Sequence, residues 1–354
     1  MYRILVINPG STSTKIAIFE NNKLAVSEEL THSIEELDKY NKLMDQIDLR
    51  KNEVVNFIEK YGFKMTDFDA IACRGGILPP LESGTYKVNE EMVDYLKNKT
   101  KIEHASNLAA VIGWELSQNK IPVFITDPVS VDEFITESRI SGIPEIERKS
   151  LFHALNMKSV ARRASKELNK KYEECNFIIA HLGGGISIGA QEKGKMIDVN
   201  NANDEGPFSP ERTGELPVGD LAKVAFSGKY EKRELKKRYI GKGGLVAYLG
   251  TNDLREAMKK AENDVFAKKV VEAMAYQIAK EIGGMAAILK GKVDAIIITG
   301  GMARNKEFVD VIKQRVSKIA LIMLYPGSFE MEALAEGAIR VLNNEEKLKE
   351  WKLG

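Results

Sequence analysis

Cysteine is almost absent from this chain: Cys73 and Cys175 are the only two. That excludes a disulfide-stapled fold. Each lies beside an apolar strand, so both are expected as free, buried thiols in a reducing cytoplasm. A catalytic thiol is the poorer reading, because Cys175 precedes its strand and Cys73 has no base nearby in the sequence. Histidine is scarce too: His32, His104, His153 and His181. None forms a His-x-His or His-Glu-x-x-His pair, which removes the common zinc motifs. No apolar run approaches membrane-spanning length, and the N-terminus enters a strand without a signal-peptide pattern. No membrane partner is therefore expected. Net charge is only +1, so no uniform field invites nucleic acid, and none is expected as a partner. No Gly-Lys-Ser/Thr follows a glycine loop, which excludes a Walker loop.

What is present is a globular composition, 44% apolar and 29% charged over 354 residues. That length predicts two domains. The chain opens on Arg3-Ile-Leu-Val-Ile-Asn8-Pro9-Gly10-Ser11-Thr12-Ser13-Thr14-Lys15. Ile4 to Ile7 reads as a strand buried on both faces, and a second strand starts at Ile16. The turn between them offers a flexible Gly10, the hydroxyls of Ser11, Thr12 and Ser13, backbone N–H groups and the charge of Lys15. It is either a plain polar hairpin or a nest for phosphate.

The layout recurs. Asn176-Phe-Ile-Ile-Ala-His181-Leu182-Gly183-Gly184-Gly185-Ile186-Ser187 again places a glycine-rich turn between apolar strands. A charged turn follows each copy, Glu20–Lys23 and Glu192–Lys195. Two copies half a chain apart predict duplicated domains facing each other. Neither turn opens directly into a helix, which disfavours a dinucleotide fingerprint.

Other candidates sit at predicted strand ends. Phe68–Cys73 delivers Arg74-Gly75-Gly76, and Ile121–Thr126 delivers Asp127. Ligands collect at such ends in open α/β sheets, although Arg74 reads equally as a surface charge and Asp127 as turn chemistry. His153 opens a helix running to about Lys170, and a structural role fits it as well as a catalytic one. The segment Asp198–Gly214 has little helix or strand signal and carries Glu211-Arg212-Thr213. A loop that long in a compact domain is usually functional. Asn263–Leu289 reads as one helix or a pair broken at Gly283-Gly284. Val293–Thr299 is a buried strand, after which Gly300-Gly301 lets the backbone approach a flat ligand.

These motifs resemble the acetate kinase family, within the superfamily of sugar kinases, actin and heat-shock chaperone ATPases. The resemblance rests on NPGSTSTK, HLGGGIS, DEGPFSPERTG, IIITGG followed by MARN, and the ending YPGSFEMEALAEGA. It runs from residue 5 to about 340. It implies an α/β fold of two duplicated ribonuclease-H-like domains with a nucleotide cleft between them. The first is expected at 1–125 with the C-terminal helix of 331–354, the second at 126–330.

The implied reaction is reversible transfer of the ATP γ-phosphoryl to a short carboxylic acid, giving an acyl phosphate and ADP with magnesium. A carboxylate is already an anion at neutral pH and needs no general base. Catalysis is then positioning plus neutralisation of crowded negative charge. Matching positions assign Arg74 and Arg212 to the carboxylate and the transferring phosphoryl, His153 to an equatorial oxygen, and Asp127 to ordering the arginines. Asn8, Gly10, Ser11, Ser13 and Lys15 form the first phosphate turn; His181, Gly183, Gly184 and Gly185 form the second. Gly300, Gly301 and Arg304 border the nucleotide. The metal-linked glutamate matches Glu332, with Glu330 the alternative in a loose register, and Asn8 lies near the metal. The resemblance also implies a cytoplasmic homo-oligomer built from dimers. Acetate-using members carry Tyr-Gly where this chain has Ser150-Leu151, and a valine near Gly75-Gly76. Glycine there is expected to leave space for butyrate or a branched relative. Acetate or propionate remains the alternative acid, and a sugar kinase or a non-catalytic ATPase switch the alternative function.

Overall fold

The computed structural model describes residues 1–353, apart from the side chain of Ile34. The chain divides into two compact units. The first is Met1–Val131 with the stretch from Phe329 onward, and the second is Asp132–Ser328. Gly354, the last residue of the expected C-terminal segment, lies outside the described residues.

The first unit holds a seven-stranded sheet. Its strands are β1 (Arg3–Pro9), β2 (Ser13–Glu20), β3 (Lys23–Thr31), β4 (Ala70–Arg74), β5 (Thr85–Lys87) and β6 (Val123–Thr126), with β12 (Lys349–Glu350) at the edge. Their order is β12-β5-β6-β4-β1-β2-β3. β1 runs antiparallel to β2 and parallel to β4, and β4 runs parallel to β6. Ile4, Leu5, Val6 and Ile7 are all fully buried, because helices cover both sheet faces. Leu5 and Ile7 pack with Leu108, Val111 and Ile112 of the helix Asn107–Ser117. Alternation turns Ile4 and Val6 to the opposite face. There the helix Glu330–Leu342 packs on β1, β4 and β6, close enough that a Cβ at Gly337 would lie 2.1 Å from Thr126 Oγ1.

The second unit repeats the plan with β7 (Asn176–Leu182), β8 (Ile186–Glu192), β9 (Lys195–Val199), β10 (Ala295–Gly300) and β11 (Leu321–Pro326) in the order β11-β10-β7-β8-β9. Three antiparallel strands are again followed by two parallel ones. This is the ribonuclease-H-like order, present twice. Ile178, Ala180 and Leu182 pack with Val271, Met274 and Ile278 of the helix Val265–Ile288. The helix Ala154–Glu167 packs on β7 and β10.

One expected boundary moves, and two other readings find their outcome. Thr126 and Asp127 belong to the first unit, not the second, because β6 pairs with β4. Val265–Ile288 is one unbroken helix; Gly283 and Gly284 are exposed, with nothing near a Cβ at either. Both cysteines are free and buried, and burial pushes the Cys73 thiol well above its ordinary range. Among the described residues no helix is long and apolar enough to cross a membrane.

Candidate active site

The duplicated topology gives the two turns, and the ends of two strands, equivalent places in their own units. The β1–β2 turn carries Gly10 to Thr12, and the β7–β8 turn carries Gly183 to Gly185. β4 ends on Arg74, and β10 ends on Gly300.

In the first unit, Asn8, Arg74 and Glu330 form one cluster. Asn8 Nδ2 donates to Glu330 Oε2 at 2.9 Å, and Arg74 Nη1 donates to Asn8 Oδ1 at 3.3 Å. Arg74 Nη1 also lies 3.5 Å from Glu330 Oε2. The carboxylate that meets Asn8 is therefore Glu330, and among the described residues no such contact reaches Glu332. The sequence match left Glu332 and Glu330 both open, and of these two acids the start of the last helix brings Glu330 to Asn8. His104 adds a further group that the sequence reading set aside. Partial burial and the Arg74 charge hold its imidazole below the ordinary range, and its Nδ1 lies 2.7 Å from Ser106 Oγ.

Asp127 follows Thr126, the register partner of Arg74. It is buried with φ 40°, an uncommon conformation for a non-glycine residue. Its Oδ1 accepts from Ser83 Oγ at 2.6 Å and from the Gly84 N–H at 2.8 Å. Ser13 Oγ and Lys15 Nζ both reach Glu29, at 3.0 and 3.5 Å. Only Gly10, Ser11 and Thr12 keep the turn clear of that carboxylate.

Gly75 and Gly76 do not leave space for an acyl chain. A Cβ on Gly75 would lie 2.3 Å from Pro128 Cβ, and one on Gly76 would lie 2.7 Å from Leu96 and 2.8 Å from Asn107 Oδ1. These glycines admit the chain's own packing, so the expected cause of a larger acyl pocket is removed.

In the second unit, His153 and His181 stack with ring centroids 4.0 Å apart and planes 8° from parallel. His153 Nδ1 lies 2.9 Å from Ser187 Oγ. Asn156 Nδ2 lies 2.9 Å from His181 Nδ1 and donates to Thr299 Oγ1 at 3.1 Å. With the amide nitrogen as donor, His181 Nδ1 accepts and Nε2 carries the proton. A neutral His181 then presents a donor. Asn156, Ser187 and Thr299 are fully or almost fully buried. Polar groups at helix and strand positions that read as core carried no sequence signal.

Arg212 rests on the second turn. Its Nη1 donates to Ala202 O at 2.7 Å, and a Cβ on Gly185 would lie 2.3 Å from that nitrogen. Glycine is required at 185 for the guanidinium to sit there. Ser209 Oγ donates to Gly184 O at 2.6 Å and accepts from the Arg212 N–H at 3.2 Å. One serine thus ties the loop to the turn. Burial lowers the Arg212 pKa below its ordinary range, and Glu211 opposes that shift. Arg212 Nε and Nη2 make no hydrogen bond among the described residues, which leaves donors for an anion.

Gly300 has φ 93°, and a Cβ there would strike Leu182 O at 2.2 Å. It exchanges two 2.9 Å backbone bonds with Gly327. Gly301 is exposed with nothing near a Cβ, so open space lies there rather than at Gly300. Arg304 lies over Gly327, its Nη2 2.9 Å from a Cβ there.

The fold is that of solved acetate kinases. The Porphyromonas gingivalis structure has a TM-score of 0.78 at 19% identity, covering 97% of this chain and 100% of that one. The Entamoeba histolytica structure gives 0.76 at 15% identity, with coverage of 97% and 100%. At these identities the likeness speaks for the fold alone. The chain belongs to the acetokinase family, whose model matches residues 85–327. It is similar over 99% of both chains to a probable butyrate kinase of Thermotoga petrophila, at 58% identity. It is 57% identical, over the same share, to probable butyrate kinase 1 of Thermotoga maritima.

Proposed function

We propose that this protein transfers the γ-phosphoryl of ATP to a short-chain fatty acid, with butyrate or a branched relative preferred, and that the transfer is reversible. The observation that carries the choice of acid is the 57–58% identity, along the whole chain, to relatives named probable butyrate kinases. The groups that each unit presents suit the reaction class. Two guanidinium groups, two donor-rich turns and stacked imidazoles suit charge neutralisation in phosphoryl transfer, and a carboxylate nucleophile needs no base.

The roles follow from chemistry. Arg74 and Arg212 hold the acyl carboxylate and the transferring phosphoryl. His153 and His181 donate to phosphoryl oxygens. Asp127 orders the strand end beside Arg74. The amides of the two turns take the nucleotide phosphates, and Gly301 and Arg304 border the nucleoside.

The Asn8–Glu330 pair fits magnesium. One carboxylate and one amide oxygen are hard donors, and this cation usually takes one or two carboxylates plus substrate phosphates. When bound, the ion neutralises phosphate charge. Glu330→Gln is expected to raise the magnesium concentration for half-activation by about tenfold, whereas Glu332→Gln leaves it unchanged. Titrating magnesium on both variants tests the assignment; the reverse ranking restores Glu332.

Hydroxylamine trapping with a panel of acids and sugars tests the reaction. Butyrate is expected to exceed acetate in kcat/KM by roughly 15-fold, from two further buried methylenes at about 0.8 kcal/mol each. Acetate at or above butyrate makes the chain an acetate kinase in activity. Turnover of glucose or glycerol without any hydroxamate overturns the acyl kinase reading.

A further inference from the structure

The roles above leave a buried cation beside the first turn unused. Arg50, in the helix Ile47–Lys60, is fully buried. Its Nη1 donates to Gly10 O at 2.9 Å, Ser13 O at 3.0 Å and Thr14 Oγ1 at 3.2 Å. Its Nη2 donates to Ser11 O at 3.2 Å, and Gln46 Oε1 accepts from Nη2 at 3.0 Å and Nε at 3.2 Å. One cation thus gathers three carbonyls of the first turn. The remaining one, Thr12 O, accepts from the His32 N–H at 2.9 Å.

A trans peptide points its C=O and N–H in opposite directions. Pulling the carbonyls of Gly10 and Ser11 onto Arg50 therefore turns the N–H groups of Ser11 and Thr12 away from it. Those two N–H groups make no hydrogen bond among the described residues, and both residues are exposed. Successive amides aimed outward from carbonyls held inward are the arrangement that binds anions.

A purely structural arginine explains less. Burying a guanidinium is costly, and an apolar side chain of similar volume fills such a place more cheaply. Among the described residues Arg50 has no ion-pair contact; carbonyl oxygens meet its charge instead. Glu53, the nearby acid, is pushed up to about 7 by burial against the opposing pull of Arg50, and its Oε1 lies 3.4 Å from His32 Nδ1.

We propose that Arg50 is a positioning residue that holds the carbonyls of Gly10, Ser11 and Ser13 inward, so that the amides of Ser11 and Thr12 stay directed at a phosphate of the nucleotide. The proposal rests on the phosphate role given to this turn above.

The test compares Arg50→Met, Arg50→Lys and Val54→Ala, the last a buried apolar position one turn along the same helix. For each, kcat, the KM for ATP, the KM for the acid and the ATP-induced rise in unfolding temperature are measured. Arg50→Met is expected to raise the KM for ATP by about tenfold and to remove most of the ATP-induced rise, with the acid KM within twofold. Arg50→Lys restores part of both. Val54→Ala lowers the unfolding temperature without moving the KM for ATP. If Arg50→Met does not fold, Arg50→Lys carries the comparison. An Arg50 variant with normal ATP affinity, or a Val54→Ala variant with an equal rise in KM, overturns the proposal. The ATP-induced rise needs no acyl acceptor. Its loss in Arg50 variants of a protein that makes no hydroxamate would keep Arg50 and discard the reaction, whereas its persistence in an active enzyme would do the reverse.

Discussion

Arg212→Ala is expected to lower kcat by on the order of 100-fold or more, with the KM for ATP changed only a few-fold. The guanidinium is fixed on Gly185 and Ala202 before any ligand arrives, and its Nε and Nη2 are uncommitted. Such a preorganised donor acts on charge that shifts during transfer, so its loss falls on the transition state rather than on ground-state binding. Arg74→Ala should show a loss of the same order. It differs in one respect, because Arg74 also holds Asn8 and Glu330. A weaker response to magnesium should accompany it. Steady-state kinetics at saturating acid decide the matter, and near-normal turnover in either variant removes that arginine from the reaction.

A second large effect is expected from adding a single methyl group. In Gly185→Ala the new Cβ would lie 2.3 Å from Arg212 Nη1 and 2.7 Å from Cζ. The clash is with the far end of a flexible side chain, so the fold survives and the guanidinium moves. Misplacing a catalytic group by about 1 Å costs roughly 100-fold, and kcat should fall by that order at an almost unchanged unfolding temperature. The double variant gives the sharper measurement. Once Arg212 is alanine there is nothing left to displace, so Gly185→Ala should then cost little more. Full additivity of the two losses would mean that the turn and the arginine act separately.

Much of the fold could be read from local pattern. Ile4–Ile7 and Phe177–Ala180 announced strands buried on both faces, because only helices on each side of a sheet permit such runs. The repeat of strand, turn and strand announced the duplication, and the two sheets share one strand order. The family resemblance singled out Arg74, His153, His181 and Arg212 as candidates, whereas local pattern left Arg74 and His153 equally open to a surface or structural role.

Tertiary structure decided what spacing cannot express. Glu330 rather than Glu332 meets Asn8, 322 residues away in the chain, because the last helix lies on the first sheet. The glycines after Arg74 looked like room for a substrate and proved to be room for Pro128, Leu96 and Asn107, since an absent side chain does not say what fills its place. Asn156, Ser187 and Arg50 escaped notice because polar residues within core-forming elements have no sequence signature of their own. Their meaning lies in the partner each one meets, and that partner is set by packing. The sequence by itself determined the two sheets, the two turns and the family of reaction. The fold determined which atoms of those turns face outward, because backbone direction depends on what lies beneath it.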